Sequence, residues 1–327
     1  LTKLIGPKGA RQRIYVCAGT YDDAPSLTAS NAVPIVGGFD CKQDWKYTGA
    51  KATLAPKQAG KQALTLDGVS GVRLVDLALN APAGDAQNVN SIAVRALKSA
   101  ASFLRVSITA ADGAAGAPAD AAGPAGTHQD MANQAITPDG NAATGGGMVS
   151  GLFKECKCTS TGTTRGGGGG GPASNGSPGS AVPAAVGVPP ADGAGGTGMP
   201  AGSCLAGDGF GHDGAKGGAG ANAGTPTKLG ALTNDLWSPA SGAPGAPGNP
   251  GQGGGGGGGF NATSAGGGGA CGGCGGGAGQ AGAGGGASIA ILSIDSTLNL
   301  LAGCELSSGT GGTGGTGGTG GTGGAGG

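Results

Sequence analysis

Two stretches far apart in the chain carry one apolar pattern. They are Ser91–Ile108, SIAVRALKSAASFLRVSI, and Ser288–Leu306, SIAILSIDSTLNLLAGCEL. Ile92, Val94 and Leu97 match Ile289, Ile291 and Ile294 at an offset of 197, and Phe103, Val106 and Ile108 match Leu301, Cys304 and Leu306 at 198. An earlier copy supplies Leu64, Leu66 and Val69 at an offset of 28, then Leu74, Leu77 and Leu79 at 29. Phe153, Cys156 and Cys158 repeat the closing half once more. An apolar side chain at every second position turns one face of a strand inward. A gap of three marks the bend where one strand gives way to the next. Units of this size bury that face only by stacking on copies of themselves, which predicts a β-solenoid. A β-sandwich is the competing reading. It needs hairpin turns, and Asn-Gly or Asp-Gly pairs are scarce between these runs.

Glycine limits everything else. It makes up 82 of the 327 residues, aromatics are 3% and charged residues 11%, so one large core of ordinary side chains is out of reach. Only Glu155 and Glu305 of the eighteen acids are Glu. Asp favours turns and Glu favours helices, which argues for an all-β chain. A net charge of zero argues against nucleic acid as a partner. The charge is uneven, however: residues 1–105 carry +6 and the remainder −6. That asymmetry either orients head-to-tail association or reflects two unrelated solvated surfaces.

The segment Ile14-Tyr15-Val16-Cys17-Ala18-Gly19-Thr20-Tyr21 is followed by Gly37-Gly38-Phe39-Asp40-Cys41, by Trp45 and Tyr47, and then by the repeated coils. Trp45 and Tyr47 are expected to cover the end of the core. Together these features resemble the right-handed parallel β-helices of the pectin-lyase-like superfamily. More narrowly, they resemble secreted glycine-rich surface proteins of myxobacterial type. The resemblance covers residues 1–108, 148–158 and 287–327 and implies a bacterial, extracellular protein. It says little about activity.

The expected organisation is β-helix coils over 1–109, a Gly/Ala-rich insertion over 110–147 and a coil strand over 148–158. A glycine-rich excursion follows over 159–286, then a closing coil over 287–306 and a Gly-Gly-Thr tail over 307–327. In the tail Thr310, Thr313, Thr316, Thr319 and Thr322 recur every three residues. That is the period of the polyproline II helix, which rises about 3.1 Å per residue. Packed side by side, such glycine helices exchange backbone hydrogen bonds as a polyglycine II sandwich. A collagen-like run and plain disorder are the alternatives.

Eight cysteines, Cys17, Cys41, Cys156, Cys158, Cys204, Cys271, Cys274 and Cys304, are read as disulfides of an oxidising compartment. Cys17 and Cys41 form one natural pair. Cys156 and Cys304 occupy matched coil positions and are expected to bond across adjacent rungs; the remaining four pair in an open order. Zinc is the competing reading of Cys271-Gly272-Gly273-Cys274, and disulfides are preferred. The chain starts at Leu1 and has no apolar run long enough to span a bilayer, so it is expected to be a processed secreted product without a membrane span.

Gly211-His212-Asp213-Gly214 resembles the histidine segment of polygalacturonases. The coils offer Asp67 and Asp76 but no acid pair, and Arg73, Arg95 and Arg105 lack a calcium-binding acid cluster. No catalytic residue, metal or cofactor is therefore expected. His128 is read as a solvated loop residue. Asn175 and Asn261 fit glycosylation sequons that a bacterial origin would leave idle.

The leading expectation is a non-catalytic structural protein, a subunit of a surface layer or of a head-to-tail fibre formed by self-association. The alternative is an adhesin whose polyglycine sandwich presents loops to glycans or cell surfaces, with Trp237 and Phe260 as contact residues. A third reading is ice binding through the row containing Thr313, Thr316 and Thr319.

Overall fold

The computed structural model describes residues 13–119, 122–130, 134–144, 148–184, 192–198 and 209–326. No helix occurs among them. The chain forms two units, each assembled from separate stretches. One takes Leu1–Ala117, Pro226–Ser241 and Ala283–Gly315; the other takes Pro118–Thr225, Gly242–Gly282 and Thr316–Gly327.

In the first unit the strands are short because each apolar run is short. They are β1 (Ile14–Cys17), β2 (Gly19–Tyr21), β3 (Ser26–Thr28), β4 (Ile35–Asp40), β5 (Lys46–Ala50), β6 (Ala52–Leu54), β7 (Leu64–Asp67), β8 (Val72–Val75), β9 (Leu77–Ala81), β10 (Ser91–Leu97), β11 (Ala100–Leu104) and β12 (Ser107–Ala110). Successive strands join different sheets. The sheets run β1-β4-β8-β11, β3-β7-β10 and β2-β6-β9-β12, every neighbour parallel. Only β5 folds back antiparallel on β4. Leu27, Ile35, Leu54, Leu64, Leu66, Leu74, Leu77, Leu79, Val94, Phe103 and Ile108 fill the interior with no exposed surface. Burying each such side chain contributes about 1.5–3 kcal/mol before the entropy of ordering is counted.

The second unit holds β13 (His128–Gln129), β14 (Glu155–Cys158), β15 (Thr163–Arg165) and β16 (Ser180–Val182), paired antiparallel in that order. In the first unit, β17 (Gly230–Thr233) and β18 (Leu236–Pro239) form a hairpin. There too, β19 (Ser288–Ile294), β20 (Thr297–Leu300) and β21 (Glu305–Ser308) add to β10, β11 and β12 respectively, again parallel.

The expected match of Ser91–Ile108 with Ser288–Leu306 is present: Ile92 faces Ile289, Val94 faces Ile291 and Leu97 faces Ile294. Two registers differ from expectation. Leu64 pairs with Val94, an offset of 30 rather than 28, while the offset of 29 holds for Leu74–Phe103 and Leu79–Ile108. A slip of two leaves every side chain on the same face, so alternation cannot detect it. Phe103 pairs with Leu300 rather than Leu301, because the extra residue is taken up by the turn through Gly303, whose φ is +78°.

Glu155–Cys158 is not a coil strand. It lies antiparallel between β13 and β15. Trp45 and Tyr47 do not cap the core either; they are about half exposed. Phe39 meets them, and Tyr15, with ring centroids 5.2–6.4 Å apart.

The corners are stabilised by their own side chains. Ser99 Oγ accepts from the Val69 N–H at 3.1 Å and donates to Leu97 O at 2.7 Å, while Ser296 Oγ accepts from the Ser99 N–H at 2.9 Å. At the next corner Asp76 and Arg105 both take positive φ, +52° and +54°.

The glycine stretches are tied by backbone hydrogen bonds at every third residue. In the second unit the N–H groups of Gly245, Gly248, Gly251, Gly254 and Gly257 donate to the carbonyls of Gly279, Gly276, Gly273, Ala270 and Gly267. The N–H groups of Gly253, Gly256 and Gly259 reach Ser180, Ser177 and Ser174, and those of Gly255 and Gly258 reach His212 and Gly209. Each of the three registers thus addresses a different neighbour. Glycine is required because a Cβ on Gly255 or Gly256 would strike the Ala194 or Gly168 carbonyl oxygen.

Candidate functional site

The last three strands are bounded on one side only. β19, β20 and β21 each end a sheet among the described residues, and their side chains are less covered than those of β10–β12. Leu300, Leu301 and Leu306 are 42%, 43% and 49% exposed, whereas Phe103 and Ile108 one strand inward have no exposure. The segment expected to close the stack therefore leaves it open. A strand edge without a strand partner among the described residues, beside exposed leucines, is a template for another strand.

A second feature lies on the hairpin of β17 and β18. Asn234 and Asp235 turn it with φ of +51° and +57°, the pair of positive values that a tight two-residue hairpin turn needs. Asn90 ties it down. Its Nδ2 donates to Trp237 O at 2.7 Å and its Oδ1 accepts from the Ala287 N–H at 2.9 Å. Arg95 Nε donates to Asp235 O at 3.0 Å.

Between this hairpin and the Asp85–Asn90 loop is a cleft of about 250 Å³, lined by Gln62, Gln87, Asn88, Asn90, Ile92, Leu236 and Trp237 among others. The loop is pinned from below, since Asp85 Oδ1 accepts from the N–H groups of Gln87 and Asn88 at 3.0 and 2.6 Å. The amide groups of Gln87 and Asn88 are exposed and make no hydrogen bond among the described residues. Gly60, at φ +79°, leaves the room that Asn88 occupies.

The shortest ion pair among the described residues is elsewhere. Arg105 donates from Nε to Asp76 Oδ1 at 2.6 Å and from Nη2 to Oδ2 at 2.8 Å, and Tyr47 OH donates to Oδ2 at 2.9 Å. Burial pushes the Asp76 carboxyl up, but the hydrogen bonds from Arg105 and Tyr47, with the charges of Arg105 and Lys51, together hold it below its ordinary value. The same carboxylate raises Arg105 above the usual guanidinium range. Both carboxylate oxygens of Asp76 and the Tyr47 hydroxyl are engaged within the trio, which makes it a structural clasp.

Of the cysteines, Cys17–Cys41 is bonded as expected, with Cα atoms 5.5 Å apart. Cys156 is bonded to Cys271, not to Cys304, and Cys158 to Cys274. The cause is the placement of β14 outside the parallel stack. Cys304 is the free thiol among the described residues, and its Sγ lies 3.3 Å from Phe103 O. Cys204 lies outside the described residues. Bonded to Cys156 and Cys158, Cys271 and Cys274 are not a zinc knuckle.

His128 is buried on β13 rather than solvated, with Nε2 2.7 Å from Gly272 O. His212 is exposed. Thr313 in the first unit, and Thr316 and Thr319 in the second, are exposed. Phe260 is half-buried and bridges to Ser264. Trp237 is the predicted contact residue that the structure brings together with other polar groups. The hairpin carrying it was hidden in the glycine excursion, although Leu232, Asn234-Asp235 and Leu236-Trp237 give a readable turn signal. No family model, curated protein or solved structure matches this chain, and no helix of the described residues is long and apolar enough to cross a membrane.

Proposed function

We propose that this protein is a non-catalytic structural subunit of an extracellular surface layer or fibre, and that copies join head to tail. In this reading the parallel strands form a short right-handed β-helix, and the glycine stretches form a polyglycine II sandwich supported by their three-residue hydrogen-bond period. The observation that carries the proposal is the edge of β19, β20 and β21, which has no strand partner among the described residues.

Each of these strands ends a sheet whose opposite end is β3, β1 or β2. A second copy can therefore extend all three sheets at once, with every added pair parallel. The +6 charge of residues 1–105 against −6 for the remainder favours such an order over head-to-head contact. Three disulfides support an oxidising compartment.

The test is sedimentation velocity and negative-stain imaging of the full chain across concentrations, beside a Leu300→Lys/Leu306→Lys variant. Association that grows with concentration, and is lost in the variant, is expected. A strictly monomeric wild-type chain would sink the proposal.

A further inference from the structure

We infer that the cleft between the β17–β18 hairpin and the Asp85–Asn90 loop binds a neutral saccharide, presented by the free amides of Gln87 and Asn88 and by the Trp237 side chain. This goes beyond the assembly reading and does not depend on it.

Three observations converge. First, the polar groups lining the cleft include four side-chain amides, Gln62, Gln87, Asn88 and Asn90, and no charged side chain. An amide offers a donor and an acceptor at fixed separation, which suits a hydroxyl that must both give and accept. The absence of charge disfavours phosphates and uronic acids, whose ionised groups need cationic or strongly donating partners.

Second, two of the four amides are already committed and two are not. Asn90 spends one amide end on the hairpin, at Trp237 O, and the other on the Ala287 N–H, and Gln62 Nε2 donates to Gly60 O at 2.9 Å. The side-chain amides of Gln87 and Asn88 make no hydrogen bond among the described residues, while their backbone N–H groups are fixed by Asp85. A positioned loop with unspent amides is set up for a polar ligand.

Third, the apolar part is in place. Trp237 is half-buried, and its six-membered ring sits so close to Gly230 that a Cβ there would come within 2.7 Å of it. As a lining residue of the cleft it supplies the apolar surface on which the C–H face of a pyranose packs. The cleft volume, about 250 Å³, lies just below the range of about 300–1,000 Å³ usual for drug-sized ligands. It therefore suits a terminal sugar unit rather than a long chain.

The chain has two tryptophans, so Trp45→Phe leaves Trp237 as the only one. That full-length variant is titrated with cellotetraose, maltotetraose, mannotetraose and tetra-N-acetylchitotetraose, with tetragalacturonate as the acidic comparator. At least one neutral probe is expected to change Trp237 emission saturably, while tetragalacturonate does not. Gln87→Ala/Asn88→Ala is expected to weaken that probe at least tenfold by calorimetry. Both side chains are exposed and unbonded, so the fold is retained, and an unchanged melting curve without ligand checks this. Calorimetry on Trp237→Phe provides the location, because Asn90 holds the Trp237 carbonyl and not its ring. The inference is overturned if none of the four neutral probes binds, if tetragalacturonate binds as tightly as the best of them, or if the amide variant keeps full affinity.

Discussion

Asp76 and Arg105 face each other from equivalent corners of neighbouring passes, each with a left-handed backbone, joined by two parallel hydrogen bonds of 2.6 and 2.8 Å. An L-residue at positive φ costs roughly 1 kcal/mol or more. Here the bend aims a carboxylate and a guanidinium at one another, so the strained corners and the clasp depend on each other. Asp76 is only 2% exposed, and its carboxylate is fully served by Arg105 and Tyr47.

Asp76→Asn is expected to lower stability at pH 7 by about 1–3 kcal/mol, the usual worth of hydrogen bonds to a charged group. Arg105→Lys is expected to fall between wild type and Asp76→Asn, since one ammonium cannot serve both carboxylate oxygens. Urea unfolding of the disulfide-intact proteins measures both.

The pH dependence has a definite sign. The folded-state pKa of Asp76 is depressed, so its contribution is fully present above the unfolded value of about 3.9 and is lost as pH falls through the folded value. Melting curves at pH 7, 5, 3 and 2 are therefore expected to show the gap between wild type and Asp76→Asn constant down to pH 5 and closing below about pH 4. A gap that stays constant to pH 2 would remove the clasp from the account.

Cys156–Cys271 and Cys158–Cys274 close loops of nearly the same span, 115 and 116 residues. Once one is formed, the other closes only a small ring, so the two are partly redundant against chain entropy. Replacing either pair by serine is expected to cost about 2 kcal/mol, the chain-entropy value for that small ring. Replacing both is expected to cost about 7 kcal/mol, because the large loop is then released as well. This strong non-additivity is read from denaturation of the two double variants and the quadruple variant.

The tail repeat contains two kinds of glycine. A Cβ on Gly312 would strike the Ala114 carbonyl oxygen, whereas on Gly314 its nearest contact is 3.9 Å away. Gly312→Ala is expected to destabilise by about 1–3 kcal/mol as overpacking. Gly314→Ala is expected to be neutral or slightly stabilising, within about 1 kcal/mol, because it reduces the freedom of the unfolded chain. Hydrogen exchange of the Gly312 and Gly315 N–H groups, which bond to Gly286 and Ala283, separates local loosening from global unfolding.

The parallel pairing of Ser91–Leu97 with Ser288–Ile294 was legible because both strands carry Ile or Val at the same alternate positions and begin at equivalent bends. The offset of 29 was legible in β8–β9 against β11–β12 because a single left-handed residue, Asp76 or Arg105, sits at each bend. The pairing of Leu64 was not, since the connection before Ile92 is long enough to absorb a two-residue slip.

Cys156-x-Cys158 misled for a related reason. Alternation reports which face is inward but not whether the neighbour runs parallel or antiparallel. The cleft was half legible. Trp237 stood out as a rare aromatic in glycine, but Gln87 and Asn88 are ordinary surface residues until the fold brings the hairpin beside them.

Ser99 and Ser296 touch although 197 residues separate them, and that distance sets an order in time. A nascent chain releases β10, β11 and β12 early, while their last partners are still unsynthesised. At usual rates of elongation the wait is on the order of ten seconds or more. Throughout it, three apolar strands stand with one backbone edge bare. Until those partners arrive the strands are open to pairing with a wrong neighbour, and the intervening glycine, poor in strand-forming side chains, offers few competing partners during the delay.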